Sequence, residues 1–228
     1  MSKADNILKK LKSLENERNR KGMERFGIQT KNAYGIAIPI LRRMAREIGT
    51  DHRLAVQLWN FRVHEARLLA SFIDDPTKVT ERQMDRWARD FDSWDICDQC
   101  CGFLFDRTSY AYGKALQWSK RKEEFLKRAG FVLMAALAVH DKEADDAAFI
   151  KFLPRIREES LDERNFVRKA VNWALRQIGK RNVFLNKKAT ETAKKIVRLD
   201  SASARWIASD ALRELTSVKL QKRLISKT

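Results

Sequence analysis

Trp94 and Asp98 stand four residues apart in the segment Asp92-Ser93-Trp94-Asp95-Ile96-Cys97-Asp98. On a helix that spacing puts both side chains on one face. An indole beside a carboxylate, at the start of a helix, suits a cationic base or a transition state that gains positive charge. Two neighbouring carboxylates compete for the role. Asp92 reads as a helix cap and Asp95, in the first turn, as a favourable charge on the helix dipole. A second indole, Trp173, lies far along the chain in Phe166-Val167-Arg168-Lys169-Ala170-Val171-Asn172-Trp173-Ala174-Leu175-Arg176. From residue type alone, both tryptophans read equally as core, as do Trp87 and Trp206. Cys97-x-x-Cys100-Cys101 has the spacing of a zinc or redox pair. There is no second pair, and His52, His64 and His140 are scattered, so buried thiols and no metal are expected.

The residues around these positions carry a large positive surplus. The 228 residues hold 47 Lys and Arg against 30 Asp and Glu, a net charge of +17. A field of that sign most often serves nucleic acid. The chain lacks a GxGxxG or GxxxxGKS/T loop and a Gly-x-Ser-x-Gly nucleophile, which argues against dinucleotide, P-loop and serine-hydrolase chemistry. Clustered cysteines, no apolar signal stretch over residues 1–6 and no apolar run near the ~20 residues of a membrane span point to a cytoplasmic protein.

The elements that must position these side chains read as helices. Glycine (8) and proline (3) are scarce, and no stretch alternates convincingly as a strand. Residues 3–21 read as one amphipathic helix, and Pro39 opens another that runs to Glu47. Core-type helices begin near Glu65, Asp95, Phe125, Phe166 and Ala204, roughly 30–40 residues apart, as in helical repeats. Weaker helices precede them, at Leu54–Trp59, Glu81–Arg89 and Phe149–Arg157. Such pairs predict one all-α domain over 1–228, with N-terminal helices in 1–48 and repeats in 50–228. Stacked, they form an α-solenoid with a concave face. Basic residues near helix starts (Arg62, Lys120, Arg121, Lys122, Lys127, Arg128, Arg164, Arg168, Lys169, Arg205) would form a track on that face, although about half should be merely solvated.

Four blocks in order carry a more specific signal: Gly27-Ile28-Gln29-Thr30, Asp92–Asp98, Phe125-Leu126-Lys127-Arg128-Ala129 and the Phe166–Arg176 run. Together they resemble the AlkD-type DNA alkylation repair glycosylases, built from HEAT-like repeats. The resemblance implies Asp98 as the catalytic carboxylate, with Trp94 and Trp173 packing about the damaged nucleotide. It implies Arg128 on the DNA backbone and Gln29 and Arg176 as further contacts; Lys127, Arg168 and Lys169 of the basic track are expected to bind DNA beside them. The family's upstream tyrosine has no counterpart, since Arg18 falls at about that offset, and only one tryptophan precedes Asp95 where the type enzyme has two.

The implied reaction is excision of positively charged N-alkylated purines, 3-methyladenine or 7-methylguanine, from duplex DNA. A carboxylate stabilises the oxocarbenium-like sugar as the base leaves. No cofactor or metal is required, and a monomer is expected. The alternatives are a catalytically inactive repeat protein that binds distorted or branched DNA, and an adaptor for an acidic protein. The enzyme reading requires Asp98, Trp94 and Trp173 to meet in an electropositive groove.

Overall fold

The computed structural model describes residues 2–226, and all regular elements among them are helical. They form two compact units, residues 1–108 and 109–228. The first unit contains α1 (Lys3–Ser13), α2 (Glu17–Glu24), α3 (Ile38–Ile48), α4 (His52–Asn60), α5 (His64–Ile73), α6 (Glu81–Arg89) and α7 (Trp94–Phe103), closed by a 3-10 turn at Phe105–Arg107. The second contains α8 (Ala111–Trp118), α9 (Glu124–His140), α10 (Asp146–Ile150), α11 (Leu153–Glu159), α12 (Asn165–Gly179), α13 (Val183–Ile196), α14 (Ala202–Leu215) and α15 (Val218–Ile225).

The expected core helices are α5, α7, α9, α12 and α14. The expected long N-terminal helix divides, because the Asn16 side chain caps α2 through the Asn19 N–H while its own N–H donates to the Tyr34 carbonyl at 2.7 Å. The expected Phe149–Arg157 helix also divides, with Pro154 in the first turn of α11, a position where its missing N–H costs nothing. The pairing is then regular. α4 packs on α5, α8 on α9 and α13 on α14, while α12 lies against α9, α13 and α14.

Large apolar side chains fill each unit. In the first, Trp59 and Trp87 stack with ring centroids 4.0 Å apart and planes 4° from parallel, and both are buried. Trp87 is thus core, as expected. Trp206 is not: it is 39% exposed, with the Arg168 guanidinium 5.2 Å from its ring. The three cysteines are free thiols buried on α7.

α5 and α7 are tied by a buried ion pair between His64 Nε2 and Asp95 Oδ2 at 2.9 Å, and Ser93 Oγ donates to the other Asp95 oxygen at 2.8 Å. Burial opposes charge on His64, but the hydrogen bond and charge of Asp95, with Glu65 and Asp92 nearby, hold its pKa above the ordinary value. Burial likewise opposes charge on Asp95. Its bonds to His64, Ser93 and the Ile96 N–H outweigh that and hold it below the usual carboxylate range.

Two predictions follow from the packing. A Cβ on Gly130 of α9 would lie 2.3 Å from the Ser119 backbone nitrogen and 2.9 Å from the Ala115 carbonyl oxygen. Those are backbone atoms that cannot swing aside. Gly130→Ala should therefore lower the unfolding free energy by about 1–3 kcal/mol, read by urea denaturation. The His64–Asp95 pair should stabilise fully between the ordinary values of 3.8 for the acid and 6.5 for the base. The contribution of His64, whose folded pKa is raised, is lost as pH rises through that raised value. The contribution of Asp95, whose folded pKa is depressed, is lost as pH falls through its own. Melting temperatures across pH should fall on the alkaline side of 6.5, and Asp95→Asn should flatten that fall; an unchanged slope would contradict the pairing.

Candidate nucleic-acid interface

Trp94 and Asp98 occupy one face of α7, both half-buried. The indole is held in place: Trp94 Nε1 donates to the Phe26 carbonyl at 2.9 Å. Phe26 itself is 70% exposed, and Gly27 after it takes φ 72°, the left-handed turn that glycine adopts without strain. Trp94 forms part of the wall of a cleft of ≈ 1050 Å³. Met23, Phe26, Ile28, Ile36 and Leu68 supply apolar surface there, and Arg18, Lys21 and Arg25 supply positive charge.

The cleft is shaped by two consecutive residues at the start of α5. His64 holds Asp95 of α7. Glu65, fully buried, accepts hydrogen bonds from the backbone N–H groups of Tyr34 at 2.8 Å, Gly35 at 2.7 Å and Ile36 at 3.2 Å. Gly35 is required there. Its φ is 74°, and a Cβ would meet the Asn16 carbonyl oxygen at 2.3 Å. The roles of His64 and Glu65 were not expected from sequence. The signal was a histidine–glutamate pair heading a stretch that is otherwise almost wholly apolar.

The neighbouring carboxylates are committed within the unit. Asp95 is bound to His64 and Ser93. Asp92 is not the cap: Ser93 occupies that position, and Asp92 is exposed with Arg67 Nη1 3.8 Å away. Gln29 is exposed and lies outside the large cleft. It lines a second pocket of ≈ 250 Å³ with Lys31, Asn32, Arg62, His64, Arg67, Asp92 and Ile96.

The remaining expected residues lie in the second unit. Trp173 is half-buried on α12, and in the amide orientation its neighbours demand, the Gln177 oxygen accepts from Trp173 Nε1 at 2.9 Å and Lys180 Nζ at 3.2 Å. Arg128 is 6% exposed and donates to the Phe166 carbonyl at 2.6 Å. Lys127 bonds Glu159 and sits 3.2 Å from Asp162. Arg176 reaches Asp210 at 2.9 Å and Glu214 at 3.1 Å, and Asp210 also accepts from Asn172 at 2.7 Å. Burial opposes the charge of Asp210, yet Asn172 and Arg176 hold it below the usual carboxylate range. Arg168 is half-buried beside Trp206. Lys169 is exposed and makes no ion pair among the described residues.

The basic residues near helix starts therefore divide. Lys127 is paired, Arg164 is bound to Asp162 and the Lys122 carbonyl, and Arg205 faces Asp200 at 3.2 Å. Lys120, Lys122 and Arg62 are exposed without ion pairs among the described residues. A run of three or more His, Cys, Asp or Glu side chains placed to hold a metal is absent among the described residues, and no described helix is long and apolar enough to cross a membrane.

The fold matches a solved structure from a new family of proteins related to the HEAT-like repeat DNA glycosylases, with affinity for branched DNA structures. The TM-score is 0.75 at 21% identity, over 92% of this chain and 94% of that one. An engineered protein aligns over 95% of the chain at 11% identity, but its TM-score of 0.39 carries no weight. No curated protein matches the sequence. The family model described as DNA alkylation repair enzyme matches residues 7–215. A helical-repeat fold and a family match over nearly its whole length together place this chain in the DNA alkylation repair enzyme family.

Proposed function

We propose that the protein is a monofunctional DNA glycosylase that removes cationic N-alkylpurines, 3-methyladenine or 7-methylguanine, from duplex DNA. The observation that carries this reading is the Trp94–Asp98 face of α7: a held indole at the wall of a basic cleft with a half-buried carboxylate one turn on. Asp98 is the carboxylate of this segment that shares a face of α7 with Trp94.

Alkylation at a ring nitrogen puts positive charge on the base and weakens its bond to deoxyribose. As the bond breaks, charge moves onto the sugar. Asp98 stabilises that charge and orients the water that captures the sugar, while the electron-rich face of Trp94 favours the same cationic character. Lys169 and Arg168 hold phosphates; Lys127 and Arg176 act first through carboxylates of their own unit, and Gln29 and Arg128 support the backbone contact.

A second reading has support of its own. The solved neighbour is described by its affinity for branched DNA, and three expected phosphate ligands, Lys127, Arg128 and Arg176, are engaged within the second unit. On this reading the chain recognises branched or distorted DNA without cleaving a bond.

Methylated duplex separates the two. The enzyme reading expects release of free 7-methylguanine or 3-methyladenine, scored by chromatography. Asp98→Asn should slow that release by about a hundredfold or more without weakening duplex binding. If wild type releases no base yet binds a four-way junction tightly, the second reading holds. Lys169→Ala should flatten the dependence of log K on log salt by about one unit, whereas Arg176→Ala should act mainly on thermal stability; the reverse pattern would exchange their roles.

A further inference from the structure

The small pocket of the first unit is separate in chemistry from the cleft beside Trp94. Four of its lining residues are basic (Lys31, Arg62, His64 and Arg67) and one, Asp92, is acidic. Lys31 and Arg62 are exposed and form no ion pair among the described residues. Arg67 is 6% exposed; its Nη1 donates to the Asp90 carbonyl at 3.1 Å, while the Asp90 and Asp92 carboxylates stand at 3.8 Å, beyond hydrogen-bond distance. Its guanidinium is held 5.4 Å from the ring of Trp59, which is itself stacked on Trp87, so the group is fixed in place before any ligand arrives. Arg67 Nε and His64 Nδ1 are buried and lack a hydrogen-bond partner among the described residues. A pocket lined by two exposed cations without ion pairs and by two buried nitrogens without a partner suits an anion.

Arg62 adds an independent observation. Its φ is 57°, the left-handed region, two residues past the end of α4. Glycine or asparagine ends helices there without strain, and a long side chain is disfavoured. An arginine at that position, lining a basic pocket, links the strain to ligand contact. The volume of ≈ 250 Å³ falls below the roughly 300–1,000 Å³ of pockets that enclose whole small molecules, so the guest is a compact group.

We propose that this pocket seats one phosphodiester of the DNA backbone, with Lys31 and Arg62 closing on its oxygens, Arg67 behind them and Gln29 alongside. The proposal rests on the DNA-binding half of the function given above and not on catalysis. It places a backbone anchor in the first unit on Lys31 and Arg62, which form no ion pair among the described residues.

Arg62→Gly tests it without endangering the fold, because glycine relieves the backbone. The melting temperature should rise, while affinity for a 20-base-pair duplex at low salt should fall roughly tenfold and the log K against log salt slope flatten by about one unit. Lys9→Ala removes an equal charge from an exposed, unpaired site on α1 and should leave the slope nearly unchanged. An unchanged slope in Arg62→Gly, with wild type still binding duplex steeply, would overturn the pocket and leave DNA binding standing. Equal losses in Lys9→Ala would also overturn it, as bulk charge. Failure of wild type to bind any duplex would defeat the DNA-binding reading itself. Inorganic phosphate that shifts the Arg62 and His64 amide resonances in a protein indifferent to duplex would overturn the backbone assignment in favour of a free oxyanion.

Discussion

Two adjacent side chains at the start of α5 hold the first unit in working shape. His64 binds Asp95 of α7, and Glu65 collects the backbone N–H groups of Tyr34, Gly35 and Ile36. One anchors the helix that carries Trp94 and Asp98. The other anchors the loop forming the opposite wall of the cleft. Both are buried, where a hydrogen bond or ion pair is little weakened by water and where losing one partner strands the other. Candidate chemistry on α7 thus depends on two residues of α5 that hold its surroundings in place.

A protein with a net charge of +17 must keep its cations from repelling one another while reserving some for a partner. The second unit spends many of them on structure. Lys127, Arg155 and Arg164 converge on Glu159 and Asp162, and Arg176 and Lys180 on Asp210 and Glu214. Lys127 ties α9 to α11 and Arg176 ties α12 to α14, whereas Arg155–Glu159 lies within α11 and Arg164–Asp162 within the loop after it. Surface lysines such as Lys169 are left as the soluble, salt-sensitive fraction of the charge.

Much of the helical order was legible in the sequence because the core helices are rich in apolar residues: α9 is buried continuously from Arg128 to Ala138, and α12 carries an apolar face over four turns. The short or strongly basic helices α8, α13 and α15 gave no comparable signal, and the break between α1 and α2 turns on the Asn16 cap, a single polar side chain. The Trp94–Asp98 face was legible because helical spacing alone puts the two together. The ion pairs of Lys127 and Arg176 were not. Their partners lie more than thirty residues away, and no local pattern tells a solvated cation from one matched across helices. Trp206 misled for a similar reason: an indole in a repeat helix reads as core unless its partner, Arg168, is known to lie outside it.

The cysteines behind the candidate site bear on durability. Cys97, Cys100 and Cys101 lie buried on α7, and burial pushes the pKa of the Cys100 and Cys101 thiols well above the ordinary value. Sulfur attacks electrophiles as thiolate, and hardly at all as a shielded thiol. An electrophile in solution would therefore meet shielded, protonated sulfur at Cys100 and Cys101 of this helix.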